Sequence, residues 1–179
     1  MDKNFNPDKQ HTLVKAVSIS GTGLHSGIEV DMTLKPANPG FGYQFQRTDL
    51  PGSPVIKADC DLVTDTARGT TLVKGDCKVS TVEHILAALV GMGVDNCLIE
   101  LNGPEIPIID GSSGPFVDII SKTGVLEQDA AKVWYTIDTN ISYFDDVKKV
   151  EMTALPAVNY QITTLIDFNS PVLGTQHAS

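Results

Sequence analysis

From Ile28 the chain alternates strictly. Ile28, Val30, Met32 and Leu34 are apolar, and Glu29, Asp31 and Thr33 between them are polar, the two-residue period of a strand with one face buried. "KPANPG", Lys35 to Gly40, then reads as a turn, and "FGYQFQRTDLPGSP" as a short strand running into a Pro/Gly break. Between Asp61 and Val73 the pattern weakens, with "RGTTLV" its best strand candidate.

After Ser80 the period changes. Val82, Ile85, Leu86 and Leu89 fall at i, i+3, i+4 and i+7, the stripe of an amphipathic helix, and Gly91 or Gly93 follows as a stop. Ser80 and Glu83 have the spacing of a capping box, which places the helix start at Ser80. "VDNCLIEL" reads as a further strand. "NGPEIPIIDGSSG" leads into a second helix with Pro115 at its first position, Phe116, Ile119 and Ile120 on its apolar face, and Gly124 at its end. Past "EQDAA" the composition shifts to three β-like runs, "VWYTIDTNISYF", "KKVEMTAL" and "YQITTLIDF", read as a meander. The expected organisation is an α+β fold. Residues 1–10 form a disordered start, residues 11–126 a first two-layer domain of sheet and helix, and residues 131–179 an incomplete second domain.

Composition narrows the function. The 179 residues carry a formal net charge of −9, which disfavours broad contact with nucleic acid. No apolar run approaches the roughly 20 residues needed to cross a bilayer, and the polar start lacks a secretory signal, so stable membrane insertion is not expected and a cytoplasmic protein is. Cys60, Cys77 and Cys97 are too widely spaced for a CxxC zinc site and odd in number for a disulfide framework.

The candidate chemistry centres on Glu83 and His84. Glu at the third helical position is explained by capping and by the positive helix terminus alone. Alternatively, the His84 imidazole ligates a metal and the Glu83 carboxylate accepts a proton from the water activated there. Both lie off the apolar stripe and can face a cleft. Zinc catalysis ordinarily takes three protein ligands, and this helix offers one. His25 lies in "SGTGLHSG", a Gly-rich turn without the lysine of a phosphate loop. Asp110 sits ahead of the second helix, placed to orient a neighbour. His11 and His177 fit no metal spacing.

In order, "GTGLHSG", "STVEHILAALVGMGVDN", "PEIPIIDGSSGPF" and "IDFNSP" resemble the UDP-3-O-acyl-N-acetylglucosamine deacetylases. These are zinc enzymes of the committed step in lipid A synthesis in Gram-negative bacteria. The resemblance, from about His11 to Pro171, implies two domains of duplicated sheet-and-helix design with the active site between them. It implies His84 as a zinc ligand, Glu83 as general base, Asp110 in a supporting role, His25 at the rim, and Asp167 and Phe168 as holders of the substrate's uridine. Because a strand sends consecutive side chains to opposite faces, the shared role of Asp167 and Phe168 requires the strand to end there.

The family's other two zinc ligands come from an H-x-x-x-D segment, and its general acid is a further histidine; neither occurs in these residues. The chain is therefore expected to be an N-terminal portion of a deacetylase, holding zinc weakly and inactive alone. Its uncovered sheet edge after residue 133 would favour a sheet-edge or swapped homodimer. The alternative function is a non-catalytic module that binds a UDP-sugar or a partner protein.

Overall fold

The alternating segment forms the second strand of a five-stranded sheet. In the computed structural model, which describes residues 6–179, β1 is Lys9–Leu13, β2 Val17–Thr22, β3 Glu29–Pro36, β4 Tyr43–Arg47 and β5 Val55–Lys57. A single 3-10 turn, Cys60–Leu62, precedes β6 (Val63–Asp65), β7 (Thr71–Lys74) and β8 (Cys77–Ser80). Helix α1 is Glu83–Gly91, β9 is Cys97–Leu101, α2 is Gly114–Thr123 and β10 is Val125–Ala131.

The large sheet has the order β2-β3-β9-β4-β5, antiparallel except for the parallel pair β4 and β9. Alternation does what the period predicts. Val30, Met32 and Leu34 of β3 and Cys97, Ile99 and Leu101 of β9 are buried on one face. Ile28, expected in that row, precedes β3 and is exposed. Against this face pack Ile85, Ala88 and Leu89 of α1 and Phe116 and Ile120 of α2, with Leu72 and Val79 from the three-stranded sheet β6-β7-β8 completing one apolar cluster. The fold is mixed α+β, with several sheets and two helices. Gly124, at φ +87, ends α2 by donating its N–H to Ile120 O. Pro115 is the helix's second residue, one place later than expected.

The beginning of the chain differs from expectation. Residues 1–5 of the supposed disordered start lie outside the described residues, but Lys9 and Gln10 belong to β1, paired antiparallel with β10. Alternation is weak in "KQHTL", so periodicity alone could not find this strand. Its partner lies more than a hundred residues away and runs through the stretch expected to link the domains.

The chain divides into two compact units, one running to Lys132 and the other covering Val133–Ser179. Within the second unit, β11 (Ile141–Asp145) pairs with β12 (Val150–Ala154), and β13 (Thr164–Asp167) with β14 (Thr175–Ala178). The expected three-stranded meander is thus two separate hairpins. Pro156 follows β12 and cannot donate to a ladder, and β13 pairs forward across the Pro171–Gly174 turn. No side chain of this unit is buried. No helix among the described residues is long and apolar enough to cross a membrane.

Candidate functional site

The entrance to α1 is built by long-range pairing, not by the expected cap. Ser80 ends β8 with its backbone fully engaged: its N–H donates to Pro104 O at 2.9 Å, and its C=O accepts from Ile106 N–H at 3.1 Å. Its N–H is therefore not left for Glu83 to reach, and its Oγ accepts from Thr71 Oγ1 at 3.2 Å. The chain turns sharply at Thr81, whose φ of +60 lies in the left-handed region that a β-branched residue avoids. Val82 stands at the cap position with no side-chain cap bond. Helix α1 therefore opens at Glu83, three residues past Ser80.

This displacement frees Glu83. Instead of reaching back along its own helix, its Oε2 accepts the Thr70 N–H at 2.9 Å. Oε1 takes no hydrogen bond among the described residues and faces Gly69, where an added Cβ would stand 3.2 Å away. His84 is half-buried beside it; its ring accepts or donates no hydrogen bond among the described residues. Its backbone carbonyl accepts from Ser113 Oγ at 3.0 Å, which ties the start of α2 to the start of α1.

His25 lies in the turn between β2 and β3 and reaches the same segment. Its Nε2 is 2.9 Å from Arg68 O, so Nε2 carries the proton, because a carbonyl only accepts. The structure thus brings His25 and Glu83 to opposite ends of one tripeptide, Arg68–Gly69–Thr70. A pocket of about 400 Å³ opens here, lined among others by His25, Arg68, Gly69, Lys78, Thr81 and Glu105. Asp110 is exposed and accepts from Ser112 N–H at 2.9 Å and Ser112 Oγ at 2.8 Å. Those bonds hold its carboxyl below the usual carboxylate range and shape the turn that presents Ser113 to His84.

Asp167 and Phe168 belong to the second unit. β13 ends at Asp167, as a shared role requires. Asp167 Oδ1 accepts from Asn169 N–H at 2.9 Å, and Phe168 N–H donates to Gly174 O at 3.1 Å. Both side chains are exposed.

One residue that periodicity gave no reason to choose stands out. Glu105 is 2% exposed, and its carboxylate accepts from His25 N–H at 3.1 Å, Ser26 N–H at 2.7 Å and Thr81 Oγ1 at 2.9 Å. Burial by itself would push this carboxyl up, but the hydrogen bonds from Ser26, His25 and Thr81 outweigh it and hold it below its ordinary value. The available signal was an acid inside the Pro- and Ile-rich run "PEIPII", since a buried carboxylate survives only where donors satisfy it.

The sequence profile described as UDP-3-O-acyl N-acetylglycosamine deacetylase (LpxC) matches residues 10–179. The chain belongs to this deacetylase family. It is 46% identical over 169 residues to the bifunctional enzyme LpxC/FabZ of Chlorobaculum tepidum, covering 94% of this chain and 36% of that one. It is 47% identical over 167 residues to the UDP-3-O-acyl-N-acetylglucosamine deacetylase of Myxococcus xanthus, covering 93% of this chain and 52% of the relative. The bifunctional enzyme LpxC/FabZ of Bacteroides thetaiotaomicron is 44% identical over 171 residues, with 96% and 37% covered. The chain thus spans between about a third and a half of the length of these relatives.

The metal-binding capacity of the Glu83–His84 pair is limited by its donor set. Glu83 and His84 offer one carboxylate and one imidazole, whereas catalytic zinc ordinarily takes three protein ligands. Among the described residues, the one group of three side chains with ligand atoms within 4.8 Å of one another is Asp59, Cys60 and Asp61. These are exposed neighbours around the 3-10 turn, where Asp59 Oδ1 already accepts Asp61 N–H. They could hold an ion, but His84 is not among them.

Proposed function

We propose that this chain carries the Glu83–His84 part of a zinc-dependent amidohydrolase that removes the N-acetyl group of UDP-3-O-acyl-N-acetylglucosamine. The observation that carries the reading is the condition of Glu83. Capping does not consume this carboxylate: one oxygen is oriented by Thr70 N–H, the other takes no hydrogen bond among the described residues, and neither does the imidazole of the next residue, His84. Family membership supports the same assignment of the pair.

A zinc ion bound at such a site supplies an acidified water and polarises the amide carbonyl. His84 would contribute one nitrogen to it, and the remaining ligands are not in this donor set. Glu83 would serve as the proton acceptor through Oε1, the oxygen left without a hydrogen bond while Thr70 N–H holds Oε2 and fixes the plane of the carboxylate. Ser113 and Asp110 hold the helix entrance from the side of α2. In the second unit, Phe168 offers an exposed ring for stacking on a uracil, and Asp167 keeps Oδ2 open to accept an imide N–H.

Acetate release from UDP-3-O-acyl-N-acetylglucosamine by the polypeptide that carries this chain tests the reading. Glu83→Gln should lower turnover by about 10²-fold or more with little change in KM. Undiminished turnover in that variant would overturn the assignment. Titration of the 179-residue chain with UDP, lost in Asp167→Ala, tests the uridine contacts separately.

A further inference from the structure

Among the described residues, Glu105 is the one buried carboxylate, and none of their cationic side chains lies within ion-pair distance of it. Its charge is met entirely by N–H and O–H dipoles, which are strongly directional when the acceptor is ionised. Those donors come from two places. His25 and Ser26 belong to the turn between β2 and β3, and Thr81 is the residue on which the chain swings into α1.

Followed outward, these bonds close a ring. Glu105 Oε1 holds Thr81 Oγ1, two residues before Glu83. Glu83 Oε2 holds Thr70 N–H. Arg68 O holds the His25 ring, and His25 N–H returns to Glu105. Every link around the ring is either a hydrogen bond or at most two residues of backbone. Thr81 has particular leverage, because its left-handed φ is unfavourable for a β-branched residue and persists only where the surroundings impose it.

The geometry points to Glu105 as the positioning residue of the Glu83–His84 pair, clamping the first turn of α1 and the His25 turn against the Arg68–Thr70 segment that orients the Glu83 carboxylate. The inference rests on the deacetylase reading only for what the pair does. The clamp itself is a property of this chain and is tested without turnover.

The test compares the ¹⁵N-labelled chain with its Glu105→Gln, Thr81→Val and Thr81→Ser variants, and with Glu100→Gln, a carboxylate on β9 outside the ring, as control. Hydrogen exchange at the Thr70 amide and the ring nitrogen signals of His25 and His84 are measured. Glu105→Gln and Thr81→Val should speed Thr70 exchange by about tenfold relative to the Ile99 amide in the core, and shift both histidine rings. Thr81→Ser, which keeps the hydroxyl, and Glu100→Gln should match wild type.

A purely structural Glu105 would instead weaken all amides together. Thr70 exchange that changes only in step with Ile99, or that is unaltered, overturns the inference. If Glu105→Gln does not fold, the isosteric Thr81→Val carries the same comparison. Absence of acetate release by the wild-type polypeptide would count against the deacetylase reading and leave these signals to decide the role of Glu105.

Discussion

Gly23→Ala probes how rigidly the Glu105 carboxylate is held. Gly23 does not have a positive φ, so backbone conformation alone would permit alanine. The obstacle is space: a Cβ there would collide with Ser26 Oγ and stand 2.6 Å from Glu105 Oε2. The serine hydroxyl can rotate away. The carboxylate must retreat by about 0.8 Å to reach ordinary contact at 3.4 Å, which carries bonds now 2.7–3.2 Å long to the limit of hydrogen bonding or past it. Loss of one charge-assisted bond at a buried site costs about 2 kcal/mol, or about 6 °C in a domain of this size.

Gly75→Ala is the matched control. At φ +59 with nothing within 4 Å of its would-be Cβ, it meets conformational strain without a clash, worth about 1 kcal/mol. Urea unfolding followed by far-UV circular dichroism should rank Gly23→Ala as the more damaging change. Equal or reversed losses would show that Glu105 yields easily, and the clamp would lose its basis.

Acid should act through the same residue. Because the folded Glu105 carboxyl titrates below its ordinary value of 4.5, it contributes stability above that pH and loses it as pH falls through the folded value. The stability gap between wild type and Glu105→Gln should stay constant from pH 7 to about 5 and narrow below 4.5; a gap that widens on acidification would contradict the sign. The three thiols should separate by exposure. Cys60 is exposed, whereas Cys77 and Cys97 are buried and their thiols pushed up, that of Cys97 to about 12. Mass spectrometry after brief alkylation should find Cys60 alone modified in the native chain and all three in urea.

What could be read in the sequence was what depends on neighbours a few residues apart. The burial of Val30, Met32 and Leu34, the Val82–Ile85–Leu89 stripe, and Gly124 after α2 follow from local period and backbone preference. Ser80 shows where this fails. Its spacing to Glu83 satisfies a local capping rule, but residues 104–106 claim its backbone first, and the helix start moves to Glu83. The same limit hid β1, whose partner is β10, and β14, where "TQHA" has too few apolar residues to show a period. For the site, the motif resemblance named His25, Glu83, His84 and Asp110. It did not show that Thr70, Arg68 and Glu105 join His25 and Glu83 through one another, because each of those bonds spans at least 13 residues of chain.

Whether His84 takes a metal is measured most directly by following the ring nitrogens of all four histidines of the chain by NMR as zinc is added. His84 should respond at the lowest zinc concentration, with weak affinity as befits a single imidazole ligand, and His84→Ala should abolish that first phase. Zinc taken up at Asp59, Cys60 and Asp61 while the His84 signals stay in place would contradict its assignment as a ligand.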